Sequence, residues 1–201
     1  MTDIHPIEAE SYRILRSRAD LSALPPLTRA VTERVIHATA DFDYITDLVC
    51  DEAALAAGVA ALARGARVVT DVAMVASGIT SEYPVICKIA EPLSARLART
   101  AGLTVSAAAI RLAFGEAGPG AVWVVGCAPT ALEEILRRDV EPTLVIGVPV
   151  GFVGAAASKE SLRASGLPAL SNVSEKGGSA VAAAAFNALL RVAKAGKEAS
   201  A

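Results

Sequence analysis

At 201 residues, with a net charge of −2 and only 4% aromatic residues, the chain lacks the basic face and stacking rings that nucleic-acid binding requires. A hydrophobic share of 53% and a mean hydropathy of +0.47 are carried largely by alanine, and no stretch approaches the roughly 20 consecutive apolar residues of a membrane-spanning helix. Cys50, Cys87 and Cys127 are odd in number and far apart, which argues against a disulfide framework and a C-x-x-C metal ribbon and leaves buried, reduced thiols as the expectation.

Met1 to Pro6 lack the basic start and apolar segment of a secretion signal, so a cytoplasmic chain is expected. Residues 9–19 read as a helix with Tyr12, Ile14 and Leu15 inward. Pro25 and Pro26 open a second helix over 26–39, in which Leu27, Val31 and Val35 recur at i, i+4 and i+8. Asp51 caps a third over 51–63, which Gly65 ends. From there strand-like runs at 66–70, 84–89, 121–125, 143–148 and 169–173 are interspersed with helices over 93–100, 106–116, 130–138, 158–164 and 179–194. Residues 196–201 read as a frayed tail. Apolar strands without alternation are buried on both faces, and their interleaving with helices indicates parallel pairing. The expectation is a single α/β domain over residues 1–201: a mostly parallel sheet covered by helices on both faces.

In such sheets ligands lie beyond the carboxyl ends of the strands. Three glycine-bearing turns fall there: Gly126 to Thr130, Gly147 to Gly154 with Gly151 at its centre, and Lys176-Gly177-Gly178-Ser179 before the last helix. Each offers backbone N–H groups or a helix start to an anionic ligand, or is a tight turn with no further role. Dinucleotide and phosphate-loop fingerprints are missing, as are a nucleophile elbow, an H-E-x-x-H pair and clustered His, Cys and Asp, so no metal site is expected. For acid–base work the chain has only His5, at the terminus, and His37. His37 falls in the last turn of the second helix, where the macrodipole favours the cation and keeps a proton available near neutral pH. Arg34 lies one turn earlier on the same face and can hold a carboxylate there. By position alone, a lone helix histidine is as readily structural, and the arginine as readily a surface cation.

The segments 5–12, 33–39 and 147–154 resemble, in order and spacing, the precorrin-8X methylmutase family. Those at 70–79, 128–132 and 176–179 extend the resemblance across nearly the whole chain. The resemblance implies an isomerase of cobalamin biosynthesis that moves a methyl group from C11 to C12 of a corrin precursor, needs no cofactor and works as a homodimer. It implies that His37 is the proton donor and acceptor that eases a 1,5-sigmatropic shift, and that Ser11 and Arg34 contact the tetrapyrrole, with Thr39, Gly126, Gly151, Lys176, Gly177, Gly178 and Ser179 completing the substrate site. A relative that binds a corrinoid without converting it is the alternative. Four positions depart from the family pattern. Val105 stands where an arginine is usual, Cys127 where asparagine is common, Ala157 where a glutamate precedes Ser158-Lys159, and Ala73 where a polar residue precedes Met74. Substrate contacts are expected to be lost there.

Overall fold

The computed structural model describes residues 5–80, 82–138 and 140–199. Helix α1 (Pro6–Arg18) starts on His5, whose Nδ1 accepts the Ile7 N–H at 3.2 Å; the terminal imidazole is a cap. Tyr12 and Leu15, three residues apart, share the inward face, whereas Ile14, about 100° away, faces solvent instead of the core. Helix α2 (Pro26–Thr39) buries Val31, Thr32, Val35 and Ile36. It ends where Ala40 turns left-handed, at φ 55°, and returns its N–H to the Ile36 carbonyl.

Three elements lie outside the sequence expectations: α3 (Tyr44–Asp47), β1 (Leu48–Cys50) and α5 (Ala73–Gly78). Each is too short for a periodicity to show. The remaining helices are α4 (Glu52–Ala63), capped by the Asp51 carboxylate, α6 (Pro92–Ala101), α7 (Val105–Ala117), α8 (Pro129–Leu136), α9 (Ala155–Ala164) and α10 (Ser179–Ala199). Helix α10 continues through the segment expected to fray as far as Ala199; residues 200 and 201 lie outside the described residues.

Strands β2 (Val68–Thr70), β3 (Val85–Ile86), β4 (Val122–Val125), β5 (Leu144–Gly147) and β6 (Ala169–Asn172) join β1 in one sheet of order β1-β6-β5-β4-β2-β3. Only β1 is antiparallel, with Leu48 opposite Asn172. β3 is shorter than expected, pairing Val68 with Val85 and Val69 with Ile86. Alternate side chains point to opposite faces. Val122, Val124, Leu144, Ile146 and Leu170 meet the core of α2, α4 and α10, whereas Trp123, Val125 and Val145 meet residues of α7, α8 and α9. With helices on both faces, the strands need no polar alternation, as their composition indicated.

No single helix among the described residues is long and apolar enough to cross a membrane. Cys50 and Cys87 are partly buried and all three thiols are free, but Cys127 is exposed, against expectation, because it lies in the turn leaving β4.

Candidate active site

His37 sits in the final turn of α2, and α1 lies across it. The Ser11 hydroxyl is 2.8 Å from His37 Nδ1. Tyr12 stacks on the imidazole, with ring centroids 5.0 Å apart and planes 14° from parallel. Serine and tyrosine are neighbours on α1, so one turn of helix fixes both an edge and a face of the ring. His37 Nε2 makes no hydrogen bond among the described residues and is the nitrogen left for chemistry. A serine hydroxyl can donate to a bare Nδ1 or accept from a protonated one, so the same contact serves both ring states.

Partial burial pushes the His37 pKa below 6.5, and the positive charge of Arg34 pushes the same way. Glu8 opposes them and Arg191 adds to the lowering. Burial and two guanidiniums thus act against the cation that a helix end favours. The neutral imidazole is therefore the resting form at pH 7. Arg34 Nη1 donates to Glu8 Oε1 at 2.7 Å, and Arg191 Nη2 on α10 donates to the same oxygen at 2.8 Å. Beside Tyr12 lies a groove of about 310 Å³ lined by Arg16, Arg34, Arg191 and small apolar side chains. A wider groove of about 530 Å³ on the far side of the Arg16–Glu33 pair holds no imidazole or thiol.

At the glycine turns beyond the carboxyl ends of the strands, several backbone N–H groups are taken up by the protein itself. Fully buried Asp71, just after β2, accepts the N–H groups of Gly126, Cys127 and Ala128 at 3.1, 2.8 and 2.9 Å. The Gly126 amide is thus spent on the protein, and the glycine itself is needed because a Cβ there would lie 2.9 Å from the Ser179 Cα. Gly151 N–H donates to the Glu175 carbonyl, and Gly178 N–H to the Val148 carbonyl. At Gly177, φ is +144° and a Cβ would run into the Val148 carbonyl oxygen. Ser179, nearly buried, opens α10. Lys176 does not project as a free cation: its ammonium lies between Asp41 and Asp43. Thr39 spends its hydroxyl on the Val35 carbonyl and the Asp41 N–H. These residues knit the loops after β5 and β6 to one another and, through Asp41, to the end of the helix that carries His37.

Holding this frame is fully buried Lys159, which donates to Asn172 Oδ1 and to the carbonyls of Ser174 and Lys176 at 3.0, 2.5 and 2.7 Å. Asp47 accepts from Asn172 Nδ2, both Ser174 donors and the Val173 N–H. The structure places Ser11 against His37 and Arg34 one turn before it, and adds Glu8, Asp47, Lys159 and Arg191, for which the sequence suggested no role. Glu8 and Lys159 lay inside motifs already marked; Asp47 and Arg191 announce themselves only through contacts distant in the chain.

The precorrin-8X methylmutase (CbiC) family model matches residues 6–192. The chain belongs to this family. The cobalt-precorrin-8 methylmutase of Salmonella typhimurium is 42% identical over 195 residues, covering 92% of this chain and 93% of that protein. The precorrin-8X methylmutase of Pseudomonas aeruginosa is also 42% identical, over 198 residues, covering 93% and 95%. The solved precorrin-8X methyl mutase of Thermus thermophilus superposes with a TM-score of 0.86 at 36% identity, over 94% of this chain and 96% of that one. Against the pattern of the methylmutase family, the four departures at Ala73, Val105, Cys127 and Ala157 all fall on exposed positions. Ala73 and Cys127 follow β2 and β4, and Ala157 lies in the first turn of α9. Val105 begins α7, beside Thr104, whose hydroxyl meets Thr130 of α8 at 2.7 Å. Because all four side chains face solvent, the exchanges bear on what the surface presents more than on whether the chain folds.

Proposed function

We propose that this chain is an isomerase of cobalamin biosynthesis that moves the methyl group of precorrin-8X, or of its cobalt form, from C11 to C12 of the ring, with His37 as the proton donor and acceptor. The observation that carries this reading is the His37 corner: an imidazole held on one edge by Ser11 and on one face by Tyr12, with Nε2 unengaged, in a chain of the methylmutase family. An intramolecular methyl shift has no leaving group. What it asks of a protein is a proton placed on the macrocycle as the bond migrates, and a surface shaped to the rearranging ring. The protonated imidazole donates from Nε2 while Nδ1–H rests on the Ser11 oxygen, and the ring recovers the proton after the shift. Substrate carboxylates that reach His37 in addition to the one carboxylate paired with Arg34 favour that cation, offsetting the burial that keeps it scarce in the free protein.

Incubating the purified protein with precorrin-8X and following the absorption change on formation of hydrogenobyrinate tests the reading. Conversion is expected, with His37→Ala slower by about 10²–10⁴-fold, the usual worth of a positioned acid–base group. Tight binding of the corrin without conversion would replace the isomerase reading by that of a corrinoid-binding protein. A homodimer belongs to the same proposal. Phe152 and Val153, 97% and 91% exposed in the loop after β5, support it, because adjacent bare apolar side chains of this size usually mark a contact surface.

A further inference from the structure

Glu8 bridges two guanidiniums through a single oxygen. Its Oε1 accepts from Arg34 and from Arg191, while Oε2 makes no hydrogen bond among the described residues. An arginine carries five N–H donors and pairs best with a carboxylate through two of them. Neighbouring Arg16 does so with Glu33, at 2.9 and 2.8 Å. Arg34 and Arg191 do not: each gives Glu8 one N–H. The groove is lined by three guanidiniums and the Glu33 carboxylate; with Glu8 paired to Arg34 and Arg191, three guanidiniums meet two carboxylates, and the two nearest His37 have donors to spare.

Glu8 is also held on a part of the fold that can move. It lies in the first turn of α1, whose only fully buried residue is Leu15, near the other end of the helix. Shifting that turn uncovers little apolar surface, so it costs little. Arg34, by contrast, projects from α2 and Arg191 from α10, helices that meet in the core.

We propose that Arg191 and Arg34 form a subsite for a carboxylate, and that Glu8 is its internal placeholder, giving way when a carboxylate-bearing side arm of the corrin substrate takes the pair. This rests on the proposed function for the identity of the ligand, but the subsite itself stands on the arginine pair and its half-used donors. Exchange of one carboxylate for another keeps the charge around His37 constant, so occupancy is decided by geometry: a ligand carboxylate that engages both arginines with both oxygens displaces one that uses a single oxygen.

The test is an absorbance titration of the folded protein with cobyrinic acid and, separately, with its methyl ester, alongside turnover of precorrin-8X by the same preparations. Circular-dichroism melts confirm that each variant is folded. Glu8→Gln, which empties the pair of its internal anion, is expected to bind the acid several-fold more tightly. Arg191→Gln is expected to bind the acid about tenfold more weakly, the order of one charge-assisted contact. Arg191→Lys should recover part of the loss, and the ester should bind weakly and equally to all. Unchanged acid binding in Arg191→Gln, weaker or unchanged binding in Glu8→Gln, or no binding to the parent protein would overturn the proposal. Turnover by the parent without these shifts removes the subsite alone, whereas the shifts without turnover remove the isomerase reading alone.

Discussion

His37 combines two properties that pull apart: it is placed to give a proton, and its surroundings make that proton hard to keep. Its folded pKa lies below 6.5, with burial the larger cause and Arg34 the next. The unfolded chain therefore takes up the proton first as pH falls. The stability this residue contributes is present above about 6.5 and lost as pH drops through that value and on through the depressed folded pKa. The same displacement shapes catalysis. If the cation is the acid, kcat/KM for the free enzyme falls as pH rises through a limb lying below 6.5, and a limb above that value would contradict the assignment. NMR titration of the His37 ring checks the causes one at a time: Glu8→Gln should lower its pKa further and Arg191→Gln should raise it. Ser11→Ala removes one hydrogen bond worth about 1 kcal/mol, which corresponds to roughly fivefold in kcat/KM. Of this corner, the sequence made His37, Ser11 and Arg34 legible through motifs near them in the chain. Arg191 was not legible, because it reaches Glu8 across 183 positions and nothing local marks it.

At the scale of elements, two buried charges hold the loops that the glycines shape. Asp71 gathers three N–H groups at the entrance to α8, and burial still raises its pKa against their pull. Asp71→Ala leaves three donors without their acceptor and should destabilise the fold by about 1–3 kcal/mol, read from the urea midpoint. Lys159 ties α9 to the loop between β6 and α10, and burial lowers its pKa from 10.5 to about 8. Lys159→Met fills the same space but strands two carbonyls and the Asn172 side chain. It should cost about 3 kcal/mol and loosen residues 173–178, with faster amide exchange there than in β4. The long periodic helices and apolar strands were readable because burial on both faces leaves a continuous pattern. α3, β1 and α5 were not, since three to six residues cannot carry a period. At Gly126 and Gly177 the close approach of neighbouring atoms demands a glycine, whereas at Gly151 and Gly178 it is the positive φ, 134° and 117°, and neither cause shows in a sequence.

For the whole molecule, the parallel sheet gathers the turns after β2, β4, β5 and β6 at one edge, and that edge carries both the four departures from the family pattern and the barest apolar side chains. Phe152 and Val153 expose nearly their full surface to water between Gly151 and Gly154, where no neighbouring element covers them. Burying a side chain of either kind is worth about 1.5–3 kcal/mol, so a second copy that covers both gains enough to shift its dissociation constant by well over tenfold. Sedimentation velocity should find a dimer for the parent chain. Phe152→Ser with Val153→Ser should move it toward monomer at equal concentration while the thermal midpoint of the separated chain stays within a degree or two, because neither side chain contributes to the core. An unchanged sedimentation coefficient would place the subunit contact elsewhere and leave the loop's apolar tip to the ring of the substrate, a role that the same variant would then report as a raised KM with little change in kcat.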